Sequence, residues 1–183
     1  MMYRRLFLLV MVTVLALPAM AQFELTMEGL RTEDQSHYVI EVEGKSQKEL
    51  YDLSKLYFTK VYKSASNVLS EAAPSLMTIN AKEPKAVHRN KFHVFDMAYS
   101  FTVQFKDGKV RCAAPAITLT TFTSSAGSQT LKLVSKNSLG GGTLGIWSPK
   151  GKLKSKLAKA DIEKFFKVLF TGLEKTLKEG DEW

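Results

Sequence analysis

The most regular hydrophobic pattern in the chain lies between residues 95 and 105. Apolar side chains occupy the odd positions, and small or polar side chains occupy the even positions. This alternation predicts a β-strand that buries one face. Asp107-Gly108 follows, and Asp-Gly is the preferred pair for a two-residue hairpin turn. We therefore predict a β-hairpin whose second strand runs from Val110 to about Phe122 and bends at Pro115.

The register of this hairpin predicts the environment of Cys112, the only cysteine. A two-residue loop pairs Phe105 with Val110 and Val103 with Cys112, and paired residues share a face of the sheet. Cys112 should therefore point into the core, where a free cysteine is a small hydrophobe with a raised thiol pKa. We interpret it as a structural residue and not as a nucleophile.

Two segments show helical periodicity. Ser46 and Glu49 have the spacing of a capping box, which predicts a helix from about Gln47 to Lys63. The apolar stripe of this helix is predicted at Leu50, Leu53, Tyr57 and Val61. A second helix is predicted from about Ser155 to Glu179, with Gly180 as its stop and Gly172 allowing close approach to the sheet. Its apolar stripe comprises Ile162, Phe165, Phe166, Leu169, Leu173 and Leu177.

Shorter strands complete the pattern. Tyr38, Ile40 and Val42 lie on one face of a predicted strand that Gly44 ends. Two strands are predicted at residues 67–70 and 76–80, with prolines as boundaries, and one or two more within residues 124–153. This order predicts an α+β fold in which two helices cover one face of an antiparallel sheet.

Two stretches of the chain carry a family resemblance: "VEGKSQKELYDLSKLYFTKVYKSASNVLS" and "DMAYSFTVQFKDGKVR". In this order they resemble a secreted Bacteroidetes family of unknown function with a TATA-binding-protein-like fold, over about residues 35–115. The resemblance implies a β-α-β-sheet-α fold and brings no established activity or catalytic residues. It does not imply DNA binding, because function belongs to sites and not to folds.

The N-terminal sequence MMYRRLFLLVMVTVLALPAMAQ is typical of a secretory signal peptide. Its uncharged run from Leu6 to Leu17 would span about 18 Å as a helix, less than the hydrocarbon core of a bilayer at about 30 Å. Ala19-Met20-Ala21 suits a signal peptidase, so we expect residues 1–21 to be removed and residues 22–183 to form a single α+β domain. We expect the mature protein to be secreted or periplasmic and soluble, and not a lipoprotein because no cysteine lies near the cleavage point.

Positive charge is concentrated near the C-terminus of a chain whose net charge is +8. The possible polyanion-binding residues are Lys150, Lys152, Lys154, Lys156 and Lys159. The alternative is a solvated helix face, which we favour because Asp161 and Glu163 interrupt the run and no base-stacking aromatics are interleaved. We therefore expect no specific nucleic-acid partner.

Other motifs give little support to catalysis. Residues 140–145 fit G-x-G-x-x-G, but the sequence Ile146-Trp147-Ser148-Pro149 does not open the helix that a dinucleotide site needs, so we predict a loop. His37, His88 and His93 lack metal-ligand spacing. We expect no catalytic residue, cofactor or metal, although a Ser-His-Asp triad needs only to meet in space.

Three functions remain open from the sequence. The first is a secreted, non-enzymatic binding or envelope-associated module that holds a protein, peptide or glycan on its sheet or loops. The second is a polyanion-binding protein that uses residues 150–167. The third is a hydrolase without a recognisable motif, which a cleft with converging polar groups would favour.

Overall fold

The computed structural model describes residues 23–32, 36–62, 64, 68–72, 74–124, 127–136 and 143–180. The predicted signal peptide and Gly140–Gly142 lie outside these residues. The elements in chain order are β1 (Glu24–Thr26), β2 (Gly29–Arg31), β3 (His37–Glu41), α1 (Gln47–Val61), β4 (Leu69–Ala72), β5 (Leu76–His88), β6 (Val94–Lys106), β7 (Lys109–Ala113), β8 (Ala116–Thr123), β9 (Gly127–Val134), β10 (Leu144–Trp147) and α2 (Lys156–Glu179).

Strand β6 is the centre of the main sheet. One of its edges pairs with β5. On the other edge, residues 96–100 pair with β8 and residues 103–106 pair with β7. The strand order is β10-β9-β8-β6-β5-β4, and β3 pairs with the free edge of β7. The pairs are antiparallel except for β9 and β10, which are parallel. β1 and β2 form a separate two-stranded hairpin.

The predicted hairpin register is confirmed. Phe105 pairs with Val110 and Val103 pairs with Cys112. The bend at Pro115 is also present, and it divides the predicted second strand into β7 and β8. Cys112 is fully buried, and burial raises the pKa of its thiol, as the core placement requires.

The prediction that a strand ends at Asn80 is wrong, because β5 continues through Pro84 to His88. Glu83 pairs with Met97 and Val87 with Phe95, so residues 84–86 bulge opposite the single residue Asp96. Proline has no N–H for the ladder and is tolerated at a bulge. The Asp96 carboxylate accepts the Lys85 N–H at 3.0 Å, and Lys85 adopts a left-handed φ of 54°. The strand predicted at residues 67–70 is β4, which occupies Leu69–Ala72.

Helix α1 begins with the predicted capping box, in which the Ser46 and Glu49 side chains each bond the other's backbone N–H. The predicted apolar stripe is wrong, because the buried face is rotated around the helix axis relative to it. The buried face is Leu50, Tyr51, Ser54 and Phe58. Leu53 and Tyr57 are partly buried, and Val61 is 43% exposed. The polar residue Ser54 lies in the middle of the buried face, so the apolar pattern alone favoured a neighbouring stripe.

Helix α2 has Ser155 as its N-cap and ends at Gly180, as predicted. Its buried face also includes Phe170 and Glu174, which the predicted stripe omitted. Gly172 faces helix α1 and not the sheet: a Cβ there would lie 2.6 Å from the Tyr57 hydroxyl oxygen. Both helices contribute to one hydrophobic core with the sheet, which confirms the α+β fold class. No helix among the described residues has the length and apolar character needed to cross a membrane.

Candidate functional site

An open groove of about 450 Å³ lies where the C-terminal part of α1 faces the middle of α2. Two helices and two strands form the wall. The C-terminal end of α1 contributes Tyr57, Val61 and the following residue, Tyr62. Strands β5 and β6 contribute Glu83, Ala86 and Tyr99, and helix α2 contributes Asp161, Lys164, Phe165, Val168 and Leu169. Val61 and Val168 stand at the mouth with 43% and 64% of their surfaces exposed. We call this site the helix groove.

The bulge in β5 shapes one wall of the helix groove. Glu83 directly precedes the bulge and Ala86 is its last residue, and both line the groove. In a regular strand, the side chains of Glu83 and Ala86 would point to opposite faces of the sheet. The bulge changes the direction of one of them, so that both side chains line the groove. Lys82 also pairs with Asp96 at 2.9 Å, so the carboxylate that fixes the bulge is itself held in place. Left-handed backbone at a non-glycine residue such as Lys85 is uncommon and concentrates at functional sites.

Three tyrosine hydroxyls provide the polar groups of the helix groove. Tyr57 donates to the Leu169 carbonyl at 2.7 Å, and Tyr99 donates to the Tyr62 hydroxyl at 3.0 Å. Burial raises the pKa of Tyr57 and of Tyr99 to about 12, and it raises the pKa of Tyr62 further. All three are therefore neutral hydrogen-bonding groups at physiological pH. The Tyr99 hydroxyl proton is used in the bond to Tyr62, so the Tyr62 hydroxyl proton is available for donation to a ligand.

The rim of the helix groove carries both signs of charge. Glu83 on the β5 side and Lys164 on the α2 side form no ion pair within the described part of the chain. Asp161 is already engaged, because its Oδ2 accepts the His88 backbone N–H at 2.8 Å and lies 2.9 Å from His88 Nδ1. A ligand therefore meets one free carboxylate and one free ammonium group.

The lysines predicted as a polyanion site fall into two groups. Lys150, Lys152, Lys154 and Lys156 are exposed before and at the start of α2, and among the described residues none forms an ion pair. Lys159 instead bonds Glu24 at 3.0 Å and Glu163 at 2.5 Å. Burial lowers the pKa of Lys159, but its bonds to these two carboxylates outweigh that effect and leave the pKa raised. The structure thus separates Lys159 from the other four.

The remaining candidates have structural partners. His37 Nδ1 lies 3.2 Å from the Arg111 guanidinium, and the His93 carbonyl accepts the Arg89 N–H. Within the described ranges, no group of three or more His, Cys, Asp or Glu residues could hold a metal ion. Gly145 of the glycine motif lies in strand β10, where a Cβ would come within 2.3 Å of the Ser135 backbone nitrogen. Close packing of β10 on β9 therefore requires this glycine.

The helix groove is not visible in the sequence pattern, because its walls come from four separate elements. The same is true of a buried polar contact in which the Tyr38 hydroxyl donates to Glu174 Oε2 at 2.5 Å and Lys178 pairs with the same carboxylate. Pro84 within a strand was the one local sign of a bulge beside the groove.

Comparison with known proteins extends these observations. Residues 37–120 match the family described as "Domain of unknown function (DUF4468) with TBP-like fold". The crystal structure of a TBP-like protein from Parabacteroides distasonis ATCC 8503 is similar, with a TM-score of 0.53, 15% identity, and coverage of 75% of this chain and 90% of that one. A DUF4468 family protein from Bacteroides ovatus ATCC 8483 is similar with a TM-score of 0.50, 16% identity, and coverage of 77% and 84%. Such low identities show the fold alone. No curated protein sequence matches the chain.

Proposed function

Residues 37–120 match a family described as being of unknown function with a TBP-like fold, and we propose from the geometry of this chain that it is a non-enzymatic binding module. Its ligand is a protein or peptide that places one apolar or aromatic side chain in the helix groove. The observation that carries the proposal is an apolar groove of about 450 Å³ with exposed valines on both helices and a free hydroxyl proton inside.

The dimensions and chemistry of the helix groove fit this role. Ligand sites typically measure about 300–1,000 Å³ and combine apolar walls with a few placed polar groups. Val61, Phe165 and Val168 supply the apolar contact, and the Tyr62–Tyr99 pair can donate to a backbone carbonyl of the ligand. Glu83 and Lys164 can pair with charged residues on either side of the inserted side chain.

A peptide side chain suits the helix groove better than a glycan does. A sugar presents several hydroxyls that each need a partner when buried, because an unpaired buried hydroxyl costs about 1–3 kcal/mol. The Tyr57 hydroxyl already donates to Leu169, and Tyr62 and Tyr99 bond each other. The groove therefore has few hydrogen-bonding groups left for a sugar.

We further propose that the module acts outside the cytoplasm after removal of residues 1–21. Support comes from the N-terminal sequence and from Phe23, which is 7% exposed and packs on Tyr38 and Phe170. Phe23, which directly follows the expected new terminus Gln22, is thus a core residue of the proposed mature protein. Intact mass spectrometry of the exported protein tests this, and a product that retains residues 1–21 would contradict it.

Thermal unfolding with two small probes tests the groove. N-acetyl-phenylalanine amide supplies an aromatic side chain between two amide groups, and N-acetyl-alanine amide is its control. A ligand at ten times its Kd stabilises the native state by about 1.4 kcal/mol, which raises the Tm by about 3 °C in a domain of this size. We expect this shift with the phenylalanine probe and a much smaller one with the alanine probe.

Two lysine substitutions locate the binding. Val168→Lys places a charge at the mouth of the groove and should weaken binding of the phenylalanine probe at least tenfold. Leu56→Lys is the matched control, because Leu56 is also an exposed apolar residue, at 38%, but does not line the groove. Equal binding by wild type and both variants, or equal shifts with both probes, would reject the proposed site.

A further inference from the structure

Two basic segments that are distant in sequence meet at one end of the molecule. The Ser155 hydroxyl donates to the Arg89 carbonyl at 2.7 Å, across 66 residues of sequence. Asp161, in the second turn of α2, accepts the His88 N–H, so the β5–β6 loop lies beside the start of this helix. We call the loop Arg89–His93 together with the segment Lys150–Leu157 the basic end.

The basic end has six cations with no ion pair in the described part of the chain. They are Arg89, Lys91, Lys150, Lys152, Lys154 and Lys156. Neither residues 84–95 nor residues 143–160 contain an acidic residue. Asp161 and Glu163, which follow this segment in α2, already bond His88 and Lys159. The six cations therefore carry positive charge that no ion pair among the described residues neutralises.

The same surface displays two large apolar side chains. Phe92 is 91% exposed, the highest value among the exposed large hydrophobic residues, and Leu157 is 49% exposed. The Asn90 side chain accepts the N–H groups of Phe92 and His93, both at 2.9 Å, and the Arg89 N–H bonds the His93 carbonyl. The loop is thus held in a fixed turn that presents Phe92 outward. Phe92 and Leu157 each lie within three residues of the Ser155–Arg89 hydrogen bond.

We propose that the basic end docks on an anionic phospholipid surface. Phe92 and Leu157 enter the boundary between headgroups and acyl chains, while the six cations contact lipid phosphates. Peripheral membrane binding combines buried apolar area with attraction to anionic lipids in this way. Each basic residue near such a surface strengthens binding about fivefold. This surface is separate from the helix groove, so the module can bind a partner while it is held at a membrane.

A lipid surface fits these observations better than nucleic acid does. Single-stranded nucleic acids are held by aromatic rings on which successive bases stack, along a groove that follows the backbone. Here one aromatic residue stands alone at a loop tip, and its apolar companion, Leu157, has no ring to stack on a base. Burial of an aliphatic and an aromatic side chain together is what an acyl-chain boundary provides.

Vesicle co-sedimentation tests the docking, with vesicles of phosphatidylcholine alone and of equal parts phosphatidylcholine and phosphatidylglycerol. We expect at least tenfold tighter binding to the anionic vesicles. Phe92→Ala should weaken that binding about tenfold, from the loss of apolar burial. Replacing Lys150, Lys152, Lys154 and Lys156 with glutamine should weaken it more than tenfold. All variants carry the same N-terminal segment, so differences between them report on the basic end.

Matched substitutions elsewhere provide the controls. Phe122 is 77% exposed on β8, so Phe122→Ala removes a comparable side chain outside the basic end. A four-glutamine variant at other exposed lysines makes the same change in net charge at Lys55, Lys106, Lys132 and Lys167. Both controls should bind anionic vesicles within about twofold of wild type, because neither alters the docking surface.

Insertion is measured separately with Phe92→Trp, whose emission should shift to the blue on anionic vesicles only. Failure to bind anionic vesicles would overturn the proposal. Binding that Phe92→Ala leaves unchanged, or that both four-glutamine variants reduce equally, would also overturn it. Tight heparin or DNA binding that depends on the lysines and not on Phe92 would identify a polyanion site instead.

Discussion

The contact between Gly172 and Tyr57 determines how closely the two helices approach beside the helix groove. A Cβ at residue 172 would lie 2.6 Å from the Tyr57 hydroxyl oxygen and 3.1 Å from two atoms of its ring. Non-bonded contacts are comfortable only from about 3.5 Å. Gly172→Ala therefore forces the tyrosine away from the helix and breaks its bond to the Leu169 carbonyl, which is 2.7 Å long.

The magnitude follows from three opposing effects. Alanine is favoured over glycine in a helix by about 1 kcal/mol. Loss of the tyrosine hydrogen bond costs about 1 kcal/mol, and overpacking costs about 1–3 kcal/mol. We therefore expect Gly172→Ala to lower the free energy of unfolding by about 1–3 kcal/mol. An exposed helical glycine would give the opposite sign.

A double-mutant cycle with Tyr57→Phe isolates the cause. Removing the hydroxyl removes the closest contact and the hydrogen bond, while the helix preference for alanine of about 1 kcal/mol remains. Gly172→Ala should therefore be less destabilising in this background than in the wild type by at least about 1 kcal/mol. Direct contacts couple mutations by about 0.5–3 kcal/mol, whereas distant ones are additive. Urea denaturation monitored by circular dichroism measures all four variants. Additive effects, or stabilisation of the wild type by Gly172→Ala, would refute the proposed close contact.

Two other predictions concern buried titratable groups. Burial raises the pKa of the Cys112 thiol, so a thiol reagent should label it slowly in the native state and rapidly after denaturation; fast native labelling would contradict the core placement. Folding raises the pKa of Tyr57 and Tyr99 from about 10 to about 12, so the native state retains protons that the unfolded state releases above pH 10. The stability that these tyrosines contribute is therefore complete below pH 10 and is lost as the pH rises toward 12. The midpoint of urea denaturation should fall over this range, and a constant midpoint would refute their burial.

Local patterns account for the elements that sequence analysis predicted well. Asp107-Gly108 sets the turn and the alternation on β6 sets the buried face, so the pairing of Val103 with Cys112 followed from counting residues. The cap at Ser46 and the stop at Gly180 likewise depend on neighbouring residues only.

The errors arose where distant side chains decide the outcome. Pro84 marks the end of a strand unless a carboxylate such as Asp96 accepts the N–H of the following residue. Lys159 belongs to a basic run in sequence, but Glu24 binds it from 135 residues away. The helix groove depends on helix packing across Gly172, and no single segment contains enough of its wall to reveal it.

Nuclear Overhauser effects between N-acetyl-phenylalanine amide and methyl-labelled protein test the proposed groove most directly. Binding in the helix groove predicts contacts from the phenyl ring of the probe to the methyl groups of Val61, Ala86 and Val168, which line the groove from three different elements. Saturating probe without these contacts, or with contacts confined to the opposite face of the sheet around Ala98 and Thr118, would contradict binding in the helix groove.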